Sequence, residues 1–317
     1  MPTLSNRLGI LAGLLLSISP ASGADENVLL SLVDAENNFA RTSVERGIRE
    51  SFLQFFAENA IIFAPEPKNG KKFYTYYEDK GRKLMWRPIF ATIASSGELG
   101  ITTGPWEMAK SKTEPTPIAF GDFLSVWRKQ FDNSWKVIVD VGVDHERPGQ
   151  LPSDTELLPP SEHSAKADVD LAHGVLEKNE QKFAETLNEN AGRAILAAAS
   201  NDIRILRQNS IPAVGRKAAA AILDADDGRA SRTAIDGGVS EAGDLAYRYG
   251  SYSSQRRNVI ERGYYLTVWR AEPNGDWKII VDLQKKAADK KYLYGNRSGC
   301  HLMKWQAERL PYNWLSA

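Results

Sequence analysis

The stretch FLSVWRKQFDNSWKVIVD, residues 123–140, recurs with few changes as YLTVWRAEPNGDWKIIVD at residues 265–282. The two stretches align without a gap, and 142 residues separate Trp127 from Trp269, as they do Trp135 from Trp277. A repeat at a constant offset indicates that this chain of 317 residues contains one structural unit twice. The length also favours about two domains.

Within each copy, residues alternate with the period of two that is typical of β-strands. Turn residues interrupt the alternation at 132–134 and at 273–276, so each copy is predicted to form a β-hairpin. The residues expected on the buried face of the first hairpin are Trp127, Trp135, Val137 and Val139. The residues expected on the opposite face, which is predicted to be at least partly exposed to solvent, are Arg128, Lys136 and Asp140.

The similarity extends upstream of both hairpins. LGITTGPW at 99–106 corresponds to LAYRYGSY at 245–252, and AENAIIF at 57–63 corresponds to ASNDIRI at 199–205. A helical stretch precedes both AENAIIF and ASNDIRI. Each unit is therefore predicted to contain helices, a short strand, another helix and a run of antiparallel strands. The predicted fold class is α+β, with two tandem cone-shaped domains whose helices pack on a curved antiparallel sheet.

These patterns predict a division of the chain into five segments. The segment between the copies is rich in Pro, Ser and charged residues, as linkers are. The predicted segments are a signal peptide at 1–24, a first domain at 25–146, a linker at 147–167, a second domain at 168–286 and a C-terminal tail at 287–317.

The amino-terminal segment has the features of an export signal. Arg7 precedes an apolar run over residues 8–18, which is shorter than the roughly 20 residues of a membrane span and typical of a signal-peptide core. Small residues at Ser22 and Ala24 precede an acidic start. We expect cleavage after Ala24 and an exported protein, periplasmic or secreted, with no integral membrane segment.

Composition excludes several classes of partner and site. Forty basic residues balance forty acidic ones, and without a basic stripe no nucleic-acid partner is expected. Cys300 is the single cysteine, so no intramolecular disulfide is expected. The four histidines lack metal-ligand spacing, and no phosphate-binding glycine loop is present. We therefore expect no metal and no cofactor.

The repeated units also resemble a known family. VGRKAAAAIL at 214–223, SGELGITTGPW at 96–106 and both hairpins resemble the SnoaL-like branch of the nuclear transport factor 2-like superfamily, and within it uncharacterised exported domains. The resemblance covers residues 28–146 and 169–285. It implies the fold but no single function, because this fold hosts isomerases, dehydratases, cyclases, epoxide hydrolases, non-catalytic subunits and transport adaptors.

The ketosteroid isomerase relatives allow a test of catalysis, residue by residue. The resemblance places Ala64 and Leu206 at the position of the catalytic Asp, and Phe39 and Phe183 near that of the oxyanion-hole Tyr. A methyl group cannot accept a proton and a phenyl ring cannot donate a hydrogen bond, so neither copy is expected to perform ketosteroid-type proton transfer. Glu66 is a weak candidate for a displaced carboxylate, and a solvated loop acid is the favoured interpretation.

The two copies differ in the size of their side chains. Large aromatic residues crowd the first copy ahead of its main strands, whereas the second has AILAAAS and KAAAAIL. The second unit is expected to be the roomier one, although an ordinary packed core explains the same residues. The candidate pocket residues of the second unit are Tyr247, Tyr249, Tyr265, Thr267 and Trp269. Those of the first unit are Trp86, Ser125 and Trp127.

Three classes of function are compatible with these patterns. The first is the binding of a small amphipathic molecule in a cone cavity, and the second is an isomerase or cyclase of the SnoaL-like type. The third is a non-catalytic interaction scaffold. In all three, the two repeats are expected to pack against each other as an intramolecular pseudo-dimer, because each unit alone would expose a broad sheet face.

Overall fold

The computed structural model describes residues 23–111, 113–114, 116–160, 169–223 and 228–287. Most of the predicted signal peptide and nearly all of the predicted tail, including Cys300, lie outside these residues. The chain forms two consecutive units, each with helices packed on its own sheet. The predicted α+β class is confirmed.

The described residues of the first unit form three helices and eight strands. The helices are α1 (Gly23–Arg46), α2 (Ile48–Phe55) and α3 (Gly70–Thr75). The strands are β1 (Phe56–Phe63), β2 (Pro67–Asn69), β3 (Lys83–Trp86), β4 (Phe90–Ile93), β5 (Leu99–Ala109), β6 (Pro117–Lys129), β7 (Trp135–His145) and β8 (Glu156–Leu158). Strand β8 belongs to the predicted linker 147–167 and pairs in parallel with β4.

The second unit contains three helices and six strands among the described residues. The helices are α4 (Val169–Glu189), α5 (Ala191–Ala198) and α6 (Arg216–Leu223). The strands are β9 (Ala199–Arg207), β10 (Ser210–Val214), β11 (Arg229–Val239), β12 (Leu245–Arg256), β13 (Val259–Ala271) and β14 (Trp277–Lys286).

The two sheets share a topology. The strand order is β2-β1-β7-β6-β5-β4-β8 in the first sheet, with β3 also paired to β5, and β10-β9-β14-β13-β12-β11 in the second. The long central strands are antiparallel, whereas β1 pairs in parallel with β7 and β9 pairs in parallel with β14. The repeated hairpins are β6-β7 and β13-β14, as predicted.

The turns of both hairpins contain a residue with positive φ. Asn133 has φ of 64° and Gly275 has φ of 85°, a conformation that Asn tolerates and Gly adopts freely. Two equivalent glycines lie where strands meet closely. A Cβ on Gly104 would lie 2.1 Å from the carbonyl oxygen of Arg87, and one on Gly250 would lie 2.0 Å from that of Thr233.

A β-bulge in each hairpin corrects the predicted faces. Val126 pairs with Val139 but Trp127 pairs with Val137, so Ile138 is an extra residue in β7. One inserted residue reverses the side to which every later side chain points. Val139 therefore lies on the face opposite Trp127 and Val137, and Asp140 is buried on the helix side.

The same bulge recurs in the second unit. Val268 pairs with Val281 and Trp269 pairs with Ile279, which leaves Ile280 as the extra residue. The predicted faces of the first copy are thus wrong beyond the bulge, because alternation along the sequence does not reveal an insertion relative to the partner strand. Asp282, like Asp140, is turned toward the helices by this insertion.

Three hydrophobic clusters form the core. One lies under the helices of the first unit, another under those of the second, and a third contains residues of both sheets. In the third cluster, the ring of Phe63 meets those of Tyr249 and Tyr264 at centroid distances of 5.8 and 6.1 Å. The outer faces of the two sheets thus contact each other through apolar side chains.

Candidate functional site

Strand registers align the interiors of the two units residue by residue. Trp86 pairs with Trp106, and Arg232 pairs with Tyr252, which lies 146 residues after Trp106. The same offset relates Thr102 to Arg248, and Glu36 lies 144 residues before Glu180 on the equivalent helix. The equivalent interior pairs are Trp86 with Arg232, Thr102 with Arg248, Glu36 with Glu180, Phe39 with Phe183, Ser125 with Thr267, Trp127 with Trp269 and Asp140 with Asp282.

The second unit encloses a cavity of about 250 Å³ between helix α4 and the inner face of the sheet. Phe183 and Leu187 line it from the helix, and Tyr265 and Trp269 line it from β13. Its polar lining comes from Glu180, Gln181, Arg232, Arg248 and Thr267. The cavity is therefore an apolar space with a small group of charged side chains, as ligand pockets commonly are.

The cavity exists because small residues replace rings. In the first unit, Phe39 meets the rings of five other residues at centroid distances of 4.7 to 6.0 Å. These residues are Phe52, Phe55, Phe56, Trp86 and Trp127. At the positions that the helix ends and the strand pairing make equivalent to Phe52, Phe55 and Phe56, the second unit has Ile195, Ala198 and Ala199. The roomier unit is the one in which the sequence placed alanines.

A buried charge cluster supports the floor of this cavity. The carboxylate of Asp282 accepts hydrogen bonds from Arg207 Nη2 at 2.6 Å, from Arg232 Nη2 at 3.1 Å and from Thr267 Oγ1 at 2.8 Å. Burial alone would raise the pKa of Asp282, but the charges of Arg232 and Arg207 hold it below its ordinary value. Asp282 is therefore a fixed anion that positions Arg232.

A second ion pair lies nearer to the solvent. Arg248 donates to both carboxylate oxygens of Glu180, from Nε at 3.0 Å and from Nη2 at 3.1 Å, and about a quarter of each side chain is exposed. The guanidinium carbon of Arg232 lies 4.6 Å from the ring centroid of Tyr265 and 5.3 Å from that of Phe183. Both arginines thus line the same cavity as Tyr265.

The first unit holds an acid in the equivalent place, without a cation. Glu36 is fully buried and accepts hydrogen bonds from Trp86 Nε1 at 2.6 Å, Thr102 Oγ1 at 2.6 Å and Trp127 Nε1 at 3.0 Å. Burial raises the pKa of Glu36, against the lowering effect of these three donors. Asp140 accepts from Ser125 Oγ at 2.9 Å.

The structure divides the predicted pocket residues into groups. Tyr265, Thr267 and Trp269 line the cavity together. Tyr247 and Tyr249 pair with Val268 and Leu266 and lie on the opposite face of the sheet, in the cluster between the two sheets. Trp86, Ser125 and Trp127 point into the first unit, where they bind the buried acids Glu36 and Asp140.

The positions compared with ketosteroid isomerases are apolar and buried. Ala64 belongs to the cluster under the helices of the first unit, whereas Leu206 belongs to the cluster between the sheets. Phe39 and Phe183 are both buried among other rings. Glu66, the weak catalytic candidate, is exposed in the loop between β1 and β2. The structure does not bring Glu66 to the cavity.

Other acids and a histidine meet at the contact between the units. His145 Nε2 lies 2.5 Å from Asp122 Oδ2, and Asp144 Oδ2 accepts from Gln208 Nε2 at 2.7 Å. Although burial lowers the pKa of His145, its hydrogen bond to Asp122 raises it above the ordinary value overall. Lys285 donates to the carbonyl oxygen of Gly142 at 2.6 Å. The bonds of Asp144 and Lys285 join the two units, whereas the contact between His145 and Asp122 lies within the first unit.

Four of the residues that define the two interiors were not predicted from the sequence: Glu36, Glu180, Arg232 and Arg248. The two glutamates had a detectable signal, because each lies three residues before the equivalent Phe39 or Phe183. The arginines had none, since Arg232 and Trp86 become equivalent only through their strand pairing.

Across the described ranges, no cluster of three or more His, Cys, Asp or Glu is suited to a metal. No helix in the same ranges is long and apolar enough to cross a membrane.

Comparison with known proteins gives structural likenesses only. No family model and no curated protein matches the chain. A ketosteroid isomerase-like protein from Erwinia carotovora atroseptica is 15% identical with a TM-score of 0.33, and the match covers 37% of this chain and 96% of that one.

Two further solved structures are described as nuclear transport factor 2-like proteins of unknown function. The one from Pseudomonas putida is 16% identical with a TM-score of 0.32, covering 38% of this chain and 89% of its own. The one from Shewanella oneidensis is 13% identical with a TM-score of 0.30, and the match covers 35% of this chain and 97% of that one. These proteins belong to the superfamily that the sequence motifs resemble.

Proposed function

We propose that the second unit binds a small amphipathic molecule in the cavity under helix α4, without ketosteroid-type catalysis. The observation that carries the proposal is the cavity of about 250 Å³ with apolar walls and a few charged groups on one side. This volume is slightly below the roughly 300–1,000 Å³ of pockets for drug-sized ligands. A smaller molecule with one apolar and one polar end matches it.

The acids around the cavity are unsuited to proton abstraction. Glu180 accepts hydrogen bonds from Nε and Nη2 of Arg248, and Asp282 accepts hydrogen bonds from Arg207 and Arg232. A general base works best with a pKa near the operating pH, whereas the pKa of Asp282 is lowered. These pairings support binding rather than acid–base chemistry in this unit.

The test is to titrate the purified protein with octyl amphiphiles of different head groups. Binding is followed by tryptophan fluorescence, because Trp269 lines the cavity. We expect saturable binding of at least one of them. Ala184 lines the cavity, so Ala184→Phe should fill it and weaken binding about tenfold or more. Ala184→Ser is the matched control and should bind as the wild type does. No binding by any head group would refute the proposal.

A second candidate is an isomerase or cyclase, and Glu36 is the observation that favours it. A fully buried acid with a raised pKa is a recognised mark of an active site. Its three donors and the surrounding rings enclose it, so a substrate would need to displace Trp86 or Trp127 to reach it. Turnover of an activated ketone that disappears in Glu36→Gln would favour this candidate over binding.

We also propose that the two units act as an intramolecular pseudo-dimer, which is the arrangement a scaffold role requires as well. What supports this is the apolar cluster shared by both sheets and contacts such as Ala242 N to Ser96 Oγ at 3.1 Å. With Cys300 replaced by Ser, the pair Ser96→Cys and Ala242→Cys should form a disulfide within one chain on mild oxidation. Units held apart in solution would leave both thiols free.

Export is proposed on the sequence alone, since residues 1–22 lie outside the described part of the chain. The support is the short apolar run followed by Ser22 and Ala24. Mass spectrometry of the protein from its native source should find an amino terminus near Asp25 in an exported fraction. Intact residues 1–24 in the cytoplasm would contradict the proposal.

A further inference from the structure

We propose that the molecule bound in the second unit is a carboxylate, with its anionic head facing Arg232 and Arg248 and its apolar body against Phe183, Leu187 and Trp269. This inference rests on the proposed binding function and adds the charge and chemical class of the ligand.

The first argument is the charge around the cavity. Arg207, Arg232 and Arg248 are joined to two carboxylates, those of Glu180 and Asp282. This cluster therefore carries one positive charge in excess. The neighbouring acid Glu177 also acts on Arg248, but its side chain is exposed to solvent, where screening weakens its effect.

The second argument is a donor without a partner. The side chain of Arg232 is 95% buried, its exposed fraction being 5%, and its Nε has no hydrogen-bond partner in the described part of the chain. A buried donor without a partner is costly. The adjacent Tyr265 can supply another donor, because burial raises the pKa of Tyr265 to about 12 and keeps its hydroxyl protonated.

The third argument is that the first unit satisfies its equivalent helix acid with neutral donors. In the first unit the equivalent acid, Glu36, is satisfied by the neutral donors Trp86 and Thr102, which occupy the positions of Arg232 and Arg248. In the second unit Arg248 contacts the helix acid Glu180, whereas Arg232 pairs with Asp282. Guanidinium groups bind planar anions such as carboxylates through paired donors.

The single excess charge selects among anions. A carboxylate brings one negative charge and balances the cluster. A phosphate monoester brings about −1.5 to −2 at neutral pH and would leave negative charge buried beside Glu180 and Asp282. The modest volume of the cavity also favours the smaller head group.

Isothermal titration calorimetry with octanoate, octan-1-ol and octylammonium tests the proposal, because these probes share one chain and differ in charge. We expect octanoate to bind about tenfold or more tightly than octan-1-ol, and octylammonium to bind most weakly. Octan-1-ol binding as tightly as octanoate would overturn the carboxylate assignment while leaving the proposed binding function intact. Binding of none of the three would overturn both.

Variants locate the effect. Arg232→Gln should weaken octanoate about tenfold while changing octan-1-ol little, and Arg232→Lys should retain part of the preference for octanoate. Arg193→Gln removes one exposed arginine away from the cavity and should leave both affinities unchanged. Equal loss of octanoate affinity in Arg193→Gln and Arg232→Gln would mean that overall charge sets the preference, which overturns the assigned site. If Arg232→Gln fails to fold, the comparison of probes on the wild type decides.

Discussion

The first and second units place different chemistry on the same interior positions. Beneath its first helix, the first unit holds the buried acids Glu36 and Asp140 with tryptophan, threonine and serine donors, and the second holds Glu180 and Asp282 among three arginines. One interior is neutral in its donors and packed with aromatic rings, while the other is charged and keeps a cavity. The two units thus share their hydrogen-bonded positions and differ in the residues that occupy them.

The largest expected difference in stability is between substitutions at Asp282 and at its equivalent in the first unit, Asp140. Asp282→Asn leaves Arg207 and Arg232 without their buried anion and should cost about 3–5 kcal/mol of unfolding free energy at neutral pH. Asp140→Asn, where Ser125 is the hydrogen-bond donor, should cost about 1–3 kcal/mol. Urea denaturation of both variants measures the difference.

The pH dependence provides a control for this prediction. Because the pKa of Asp282 is lowered in the folded protein, its stabilising effect is present above the ordinary pKa of an aspartate and is lost as the pH falls below it. The gap between the wild type and Asp282→Asn should therefore shrink on acidification. A gap that stays constant down to acid pH would contradict the ion-pair explanation.

The next difference concerns the equivalent tryptophans. Trp127→Phe removes a donor to Glu36 at 3.0 Å and to Thr102 at 2.9 Å, so it should destabilise the protein by about 2–3 kcal/mol. Trp269→Phe alters a wall of an existing cavity and should cost only about 1 kcal/mol. Thermal unfolding of the two variants side by side tests this order, and an equal loss would contradict it.

A smaller and pH-dependent effect is expected at Glu36. Its pKa is raised in the folded protein, so the folded state retains a proton that the unfolded state has released. Stability should fall as the pH rises from the ordinary glutamate pKa to the raised one, with a slope of at most about 1.4 kcal/mol per pH unit. Glu36→Gln should abolish this decline when unfolding is measured across the acidic range. An unchanged decline in the variant would show that another group causes it.

The smallest effect is expected at Glu66. The substitution Glu66→Gln removes the charge of this residue in the loop between β1 and β2. Glu66 is exposed, and the substitution should change stability by less than about 0.5 kcal/mol. Neither wild type nor variant should turn over a 3-oxo-Δ5 steroid. Turnover that disappears in Glu66→Gln would restore Glu66 as a catalytic residue.

The sequence by itself determined the tandem architecture, since a period of two between turn residues predicts both hairpins and the constant offset predicts two units. It also indicated the roomier unit, because the second copy has the alanine-rich stretches AILAAAS and KAAAAIL where the first copy has large aromatic residues. The tandem architecture and the roomier unit depend on the size and spacing of side chains within single segments. The sequence shows both directly.

Only the tertiary structure decided which side chains face the cavity. The bulges at Ile138 and Ile280 turn Asp140 and Asp282 inward, because one residue inserted against a partner strand inverts every face beyond it. Arg232 became a cavity residue through its pairing with Tyr252 across the sheet. Both depend on the register between strands, and register is set by contacts between distant segments rather than by the pattern within one of them.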